Sequence, residues 1–147
     1  MLLVAAGLLV ASGTARAEGG PLGIGLVVGE PTGVTGMYRF SEAAALDVSL
    51  GIDVFDDDGF YVHGVVDFFF PDLLRGGSVG LRPYIGVGGF LADANDDLAL
   101  GARAPFGLSL DFAAAPFQVY GELALDLLIV PDVDLDLGGA VGFRYFF

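Results

Sequence analysis

His63 is the single histidine of the 147-residue chain, and it is the side chain best suited to general-base or metal-ligand chemistry near neutral pH. Its sequence surroundings support neither role. A histidine-based metal site needs several histidines, the chain contains no cysteine, and the Gly-x-Ser-x-Gly match at Gly76 to Gly80 is followed by no helix pattern, so it forms no nucleophile elbow for His63 to activate. Gly23-x-Gly25-x-x-x-Gly29 has the glycine density of a phosphate loop, but Pro31 follows and no helix pattern begins. Without a helix N-terminus there is little to hold a phosphate. Asp132-x-Asp134-x-Asp136-x-Gly138 has the two-residue spacing of a calcium loop, yet its glycine stands at the seventh position and Phe143 at the twelfth. A calcium loop needs glycine at the sixth and a bidentate carboxylate at the twelfth. The acidic stretches Asp56 to Asp58 and Asp93 to Asp97 leave room for weak divalent-cation binding. The expectation is therefore a protein with no catalytic residue, no cofactor and no dedicated metal site.

A spacing of two is the signature of a strand, and strands are what the rest of the chain spells. Leu135 to Phe147 alternates Leu135, Leu137, Gly139, Val141, Phe143, Tyr145 and Phe147 with Asp136, Gly138, Ala140, Gly142, Arg144 and Phe146. One face is greasy; the other is mostly small or charged. Seven further segments behave alike: Leu22 to Val28, Val34 to Phe40, Ala45 to Phe55, Phe60 to Phe70, Leu81 to Leu91, Leu98 to Phe112 and Phe117 to Val130. Turn residues separate them, including Gly29-Glu-Pro-Thr-Gly33, Asp56-Asp-Asp-Gly59, Pro71-Asp72 with Gly76-Gly77, and Pro131-Asp132. Eight strands of about ten residues, the length that crosses a bilayer when tilted, predict an all-β, eight-stranded, antiparallel up-and-down transmembrane barrel.

Composition agrees. The chain is 54% hydrophobic, but after the N-terminal run no stretch reaches the length of a membrane helix, and a membrane protein without such helices is a barrel. Residues Met1 to Ala17 comprise an apolar run followed by Ala15-Arg16-Ala17, which predicts a cleavable signal peptide over 1–17 and a barrel domain over 18–147. No Lys or Arg precedes Leu2, which leaves open a true start upstream of this methionine. Nineteen acids face only six Lys plus Arg, giving a net charge of −13, which argues against nucleic acid as a partner.

The ending Phe143-Arg-Tyr-Phe-Phe147 resembles the C-terminal assembly signal of bacterial outer-membrane β-barrel proteins, with Val141, Phe143, Tyr145 and Phe147 in register. The chain beyond residue 17 more loosely resembles small eight-stranded barrels of the OmpA and OmpX type. It also resembles a family of bacterial outer-membrane barrels with a Gly-Glu-Pro-Thr-Gly turn and an Arg-Tyr-aromatic ending. The resemblance implies a Gram-negative outer-membrane location with both termini periplasmic, outer-membrane lipid as surroundings, and the barrel-assembly machinery as a partner during biogenesis. It implies no activity. The expected role is structural or envelope-related, or a weak interaction through the acidic loops. The alternatives are an outer-membrane lipid-modifying enzyme and a periplasmic soluble barrel binding an apolar ligand.

Alternation assigns the inward face. Arg39, Asp47, Asp53, His63, Asp67, Arg82, Arg103, Asp111, Glu122, Asp126, Asp136 and Arg144 are expected to form a charge network that plugs the lumen. Aromatics near segment ends, Tyr38, Phe40, Phe60, Phe70, Phe112, Phe117 and Tyr145, are candidates for interfacial girdles. A tight turn near Pro131 to Asp134 predicts that Arg144 lies opposite Tyr120 and diagonal to Glu122, or directly across from Glu122; either way these two should pair.

Overall fold

The structure, a computed structural model, describes residues 20–52, 59–76, 79–94, 97–112, 115–130 and 133–147. Nine strands follow in chain order: β1 Leu22–Gly29, β2 Thr32–Arg39, β3 Ala44–Ile52, β4 Phe60–Phe69, β5 Leu74–Gly76, β6 Val79–Ala94, β7 Asp97–Phe112, β8 Phe117–Val130 and β9 Asp134–Phe146. Chain neighbours pair antiparallel except β4 and β5, β4 pairing instead with β6, and β9 closes on β1. Eight strands thus form a closed barrel. The three-residue β5 stands outside it, a short hairpin arm on the start of β6, where the residues Pro71-Asp72 and Gly76-Gly77 predict turns alone.

Closure satisfies every strand edge along the shared length, which an open sheet in lipid could not do. Following hydrogen-bonded partners once around from Gly29 through Ala140, Glu122, Gly107 and Tyr84 returns to the line of β1 ten residues away. For eight strands such a stagger corresponds to a tilt of roughly 40° and an interior that side chains just fill. One end carries the described N-terminal residues, Phe147 and the connections after β2, β4 and β7, and is called here the terminus end. The opposite turn end carries the turn at Glu30-Pro31 and the connections after β3, β6 and β8.

Alternation holds on every long strand. Leu26, Val28, Leu46, Val48, Leu50, Phe68, Ile85, Val87, Leu108, Leu123, Leu125, Val141 and Phe143 stand outside and exposed, whereas Thr35, Asp47, Ser49, His63, Asp67, Arg103, Gln118, Glu122 and Arg144 are buried inside. Small apolar clusters wedge between them: Val27, Tyr84, Tyr120 and Ala140 in one, and Met37, Ala45 and Phe146 in another, with Phe69 packed on both. This inverts the usual soluble arrangement, in which charge faces out.

Two prolines lie inside strands, where the missing N–H normally excludes them from a ladder. Pro83 is partnered by Leu108. Around Pro105 the β6–β7 ladder skips, with Ile85 pairing Phe106 and Gly88 pairing Arg103, so the stretch without a donor coincides with a gap. The buried Pro105 ring then fills space beside Gly86, whose missing side chain leaves room for it.

Candidate functional site: the charged lumen

The candidate site is the barrel interior, because it is where the buried ionisable side chains converge. Arg144 reaches inward from β9 near the terminus end. Its Nη2 lies 2.9 Å from an Asp47 carboxylate oxygen on β3 and 2.9 Å from Thr35 Oγ1 on β2, while Nη1 donates to Gln118 Oε1 on β8 at 2.8 Å. The guanidinium also stacks 4.1 Å from the Tyr120 ring centroid. Four strands are crosslinked through one planar group, whose fixed fork of donors suits it to that geometry. Thr35 Oγ1 and Ser49 Oγ in turn donate to Asp47 Oδ1, at 3.3 and 3.5 Å.

A second hub surrounds Arg103 of β7, nearer the turn end. Its guanidinium meets Asp126 at 3.0 Å and Glu122 at 3.3 Å, and its Nη1 donates to Tyr61 Oη at 3.0 Å. Tyr84 Oη donates to the other Glu122 oxygen at 2.6 Å, and Tyr61 stacks on Phe90 with ring centroids 5.5 Å apart. The turn at Glu30-Pro31 folds over this hub. Arg103 Nη2 donates to the Glu30 carbonyl at 3.4 Å, and Pro31 is among the fully buried side chains. Gly29, at φ +132°, enters this turn in a conformation that a Cβ would oppose.

His63 stands between the two hubs, its ring edge-on to Tyr61 with centroids 5.9 Å apart. Its Nε2 stands 3.8 Å from Asp47 Oδ1, on the far side of the carboxylate that also holds Arg144. Asp67, four residues along β4, is buried with both carboxylate oxygens lacking a hydrogen-bond donor among the described residues, as are His63 Nδ1 and Arg103 Nε lacking partners. At the terminus rim Arg39 pairs with Asp111 at 3.4 Å and stacks 3.6 Å from the Phe146 centroid. The Gln118 side-chain amide joins the same Asp111 oxygen at 3.2 Å.

The structure redistributes several residues that alternation alone grouped together. Arg144 and Glu122 are not partners. In β8–β9, Phe117 lies opposite Tyr145 and Arg144 opposite Gln118, so the register preserves facing but sits two residues from the nearer expected pairing. The reason is a hairpin centred one residue earlier than a three-residue turn at Pro131 to Val133 predicts, its ladder ending at Leu128 opposite Asp134. Glu122 belongs to Arg103, and Arg144 to Asp47, a partner across the lumen that local hairpin arithmetic does not reach. Arg82 lies at the terminus rim, its Nε and Nη2 donating to the carbonyls of Phe70 and Glu42 at 3.2 and 2.5 Å, with Asp72 3.7 Å away. Asp136 faces inward by alternation but is exposed at the turn end, where it accepts from the Leu137 N–H at 2.9 Å. Asp53 lies outside the described residues, as do residues 1–17, Phe55 and most of the two acidic stretches.

Sequence reasoning missed Thr35, Tyr61, Tyr84, Gln118 and Tyr120 as network members. Three are tyrosines on the inward face of an otherwise glycine-rich lining, and an inward tyrosine among arginines was the available signal. The aromatic residues concentrate on one rim. Tyr38, Phe40, Phe70, Phe117 and Tyr145 are exposed there, while Phe60 is the exposed aromatic at the turn end among the described residues. At the C-terminus Val141, Phe143 and Tyr145 face outward, with Phe117 5.2 Å from Tyr145 and Tyr145 5.3 Å from Phe147 between centroids. The Phe147 N–H closes the barrel seam on the Leu22 carbonyl at 2.9 Å. Among the described residues no group of three His, Asp or Glu is placed to hold a metal ion.

The geometry defines a closed eight-stranded antiparallel barrel with an apolar exterior and a charge-crosslinked interior. Among solved structures it is similar in fold to the N-terminal β-barrel domain of Pseudomonas aeruginosa OprF, with a TM-score of 0.54 and 19% identity over 84% of this chain and 96% of that one. No family model and no curated protein matches the chain.

Proposed function

We propose that this chain is an integral outer-membrane barrel whose interior is plugged by its own charges, serving a structural or envelope role without catalysis. The observation that supports this reading best is the inversion of faces. Arg103 and Arg144 are 1% and 2% exposed inside, while Leu26, Val28, Leu50 and Val141 are 57, 66, 55 and 62% exposed outside. Each fully exposed aliphatic chain of that size forgoes about 1.5–3 kcal/mol in water, so a continuous belt of them calls for a hydrocarbon surround. The aromatic rim at the terminus end suits an interfacial girdle, and likeness to the OprF barrel domain is consistent with it. Outer-membrane lipid is then the permanent surrounding. Residues 1–17 are the export signal, and Val141, Phe143, Tyr145 and Phe147 address the chain to the assembly machinery.

The inward placement of His63, Ser49 and Ser109 supports the structural role over lipid-modifying chemistry, because none of them is presented to the apolar face where a lipid substrate would lie. A plugged lumen also disfavours a general porin. Refolding the chain from Glu18 in detergent micelles tests the reading. Folded material should show β-sheet circular dichroism, migrate differently on gels before and after boiling, and leave liposomes unswollen by small sugars. A monodisperse folded species in plain buffer overturns the membrane location, and sugar-dependent swelling overturns the plug.

A further inference from the structure

The barrel wall is not of even height. β1 and β2 turn at Glu30-Pro31, and the last rung between β1 and β9 is the Glu30 N–H on the Gly139 carbonyl at 3.0 Å. Beyond it β9 continues from Gly138 to Asp134, paired with β8 on one side. Gly138 lies against the Glu30 side chain, and from Leu137 to Asp134 no strand among the described residues pairs with the other side. Along β9 the odd-numbered residues bond towards β1, as Gly139 and Phe147 do, so the N–H groups of Leu135 and Leu137 point into this notch. Each is met by the carboxylate of the preceding residue, Asp134 Oδ1 on Leu135 N and Asp136 Oδ1 on Leu137 N, both at 2.9 Å. The edge is thus held open and blunted by acids.

With Asp67 as the exception, charge in the lumen divides at the same level. Below the notch the inward acids Asp47, Glu122, Asp126 and Asp111 each face an arginine. Asp134 and Asp136 have the same inward parity on β9 but no ion-pair cation among the described residues, and they are exposed. The side chains outside the edge, Val133, Leu135 and Leu137, are apolar and 77, 63 and 56% exposed. What would complete the wall is a strand with basic residues facing in and apolar residues facing out.

We propose that the free edge of β9 from Asp134 to Leu137 docks an extended basic segment of another polypeptide, which adds as a strand in the notch above the Glu30-Pro31 turn. Its carbonyls take over the N–H groups of Leu135 and Leu137, and its cations take the released carboxylates of Asp134 and Asp136. An unpaired edge with alternating side-chain demands is the recognition surface of strand addition. A second copy of this chain is a poor occupant, since the same acids would face each other. The proposal rests on the barrel register and not on membrane location, so the refolding experiment above can fail without touching it.

The test uses the full chain from Glu18 in zwitterionic micelles with a labelled seven-residue peptide alternating arginine and valine. Expected are saturable binding and at least tenfold slower hydrogen exchange at the Leu135 and Leu137 amides. Asp134→Asn with Asp136→Asn should weaken binding at least tenfold, while Asp93→Asn, a charge removed elsewhere on the turn end, leaves it within about twofold. Four results overturn the proposal: no saturable binding, unchanged exchange at the two amides, equal weakening by Asp93→Asn, or amides already fully protected without peptide.

Discussion

Arg144 and Asp47, contributed by the last and third strands of the barrel, meet at 2.9 Å with side chains 2% and 4% exposed. Breaking one side of such a pair leaves a buried charge uncompensated, which costs about 3–5 kcal/mol, whereas removing both is far milder. Arg144→Met should therefore lower unfolding stability in micelles by that amount. Asp47→Asn added to it should recover much of the loss, and Glu122→Gln added to it should recover none. A urea double-mutant cycle measures this, and a rescue by Glu122→Gln would reverse the pairing assigned here.

The second hub makes a graded prediction. Tyr84→Phe deletes one hydrogen bond to a carboxylate, worth about 1.5–3 kcal/mol, while Arg103→Met removes the common partner of Glu122, Asp126 and Tyr61. Arg103→Met should be the more damaging change by at least 1 kcal/mol, and the two effects should be non-additive because Glu122 is shared. Denaturation midpoints of the four proteins decide the point, and strict additivity would separate Tyr84 from the network.

Gly142 is needed where it stands. A Cβ there would lie 2.5 Å from the Tyr120 ring, and that ring is 3% exposed and stacked on the Arg144 guanidinium, so it has nowhere to move. Gly142→Ala should destabilise by about 1–3 kcal/mol, the usual cost of overpacking. With Tyr120→Leu in the background the same substitution should become nearly neutral. Persistence of the full effect would place the strain in the backbone instead.

Phe147 separates assembly from stability. Its backbone N–H closes the seam on Leu22, and its ring touches Tyr145 on the outer rim. Phe147→Asp keeps the rung and removes the ring, so stability in micelles should fall by less than about 1 kcal/mol, as for most exposed substitutions. Insertion into the outer membrane of cells should drop severalfold if the terminal aromatic is read as a signal. Comparable losses in both assays would make Phe147 ordinary packing.

Much of this barrel was legible because its alternation is strict. Leu46, Val48 and Leu50 against Asp47 and Ser49 give the strand two unlike faces, and the strand count follows from turn residues between such runs. Pairing across the lumen was not legible. Parity says that Arg144 and Asp47 both point inward, but the distance between them depends on tilt, stagger and a hairpin register whose error of two residues leaves parity intact. Short-range logic therefore matched Arg144 with the nearest inward acid on its neighbour strand. The notch beside β9 was hidden for a related reason: the short first hairpin is visible in sequence, but its consequence appears only once β9 is known to close on β1.

Asp67 offers the last test, because it is a buried carboxylate that the network does not serve. It is 1% exposed, neither oxygen meets a donor among the described residues, and Asp47 and Glu122 act on it as like charges. Its surroundings on the other side are apolar: Val65 and Pro105 crowd the same space around Gly86, where Asp67 Oδ1 would lie 2.3 Å from an added Cβ. An unsatisfied buried polar group costs about 1–3 kcal/mol, and a leucine of similar length would replace it with packing while relieving repulsion on Asp47. Asp67→Leu should raise stability in micelles by about 1–2 kcal/mol on that reasoning, whereas Asp47→Leu, which strips Arg144 of its partner, should lower it. If Asp67→Leu destabilises to the same degree as Asp47→Leu, the Asp67 carboxylate is engaged after all, and the two hubs form one continuous network through it.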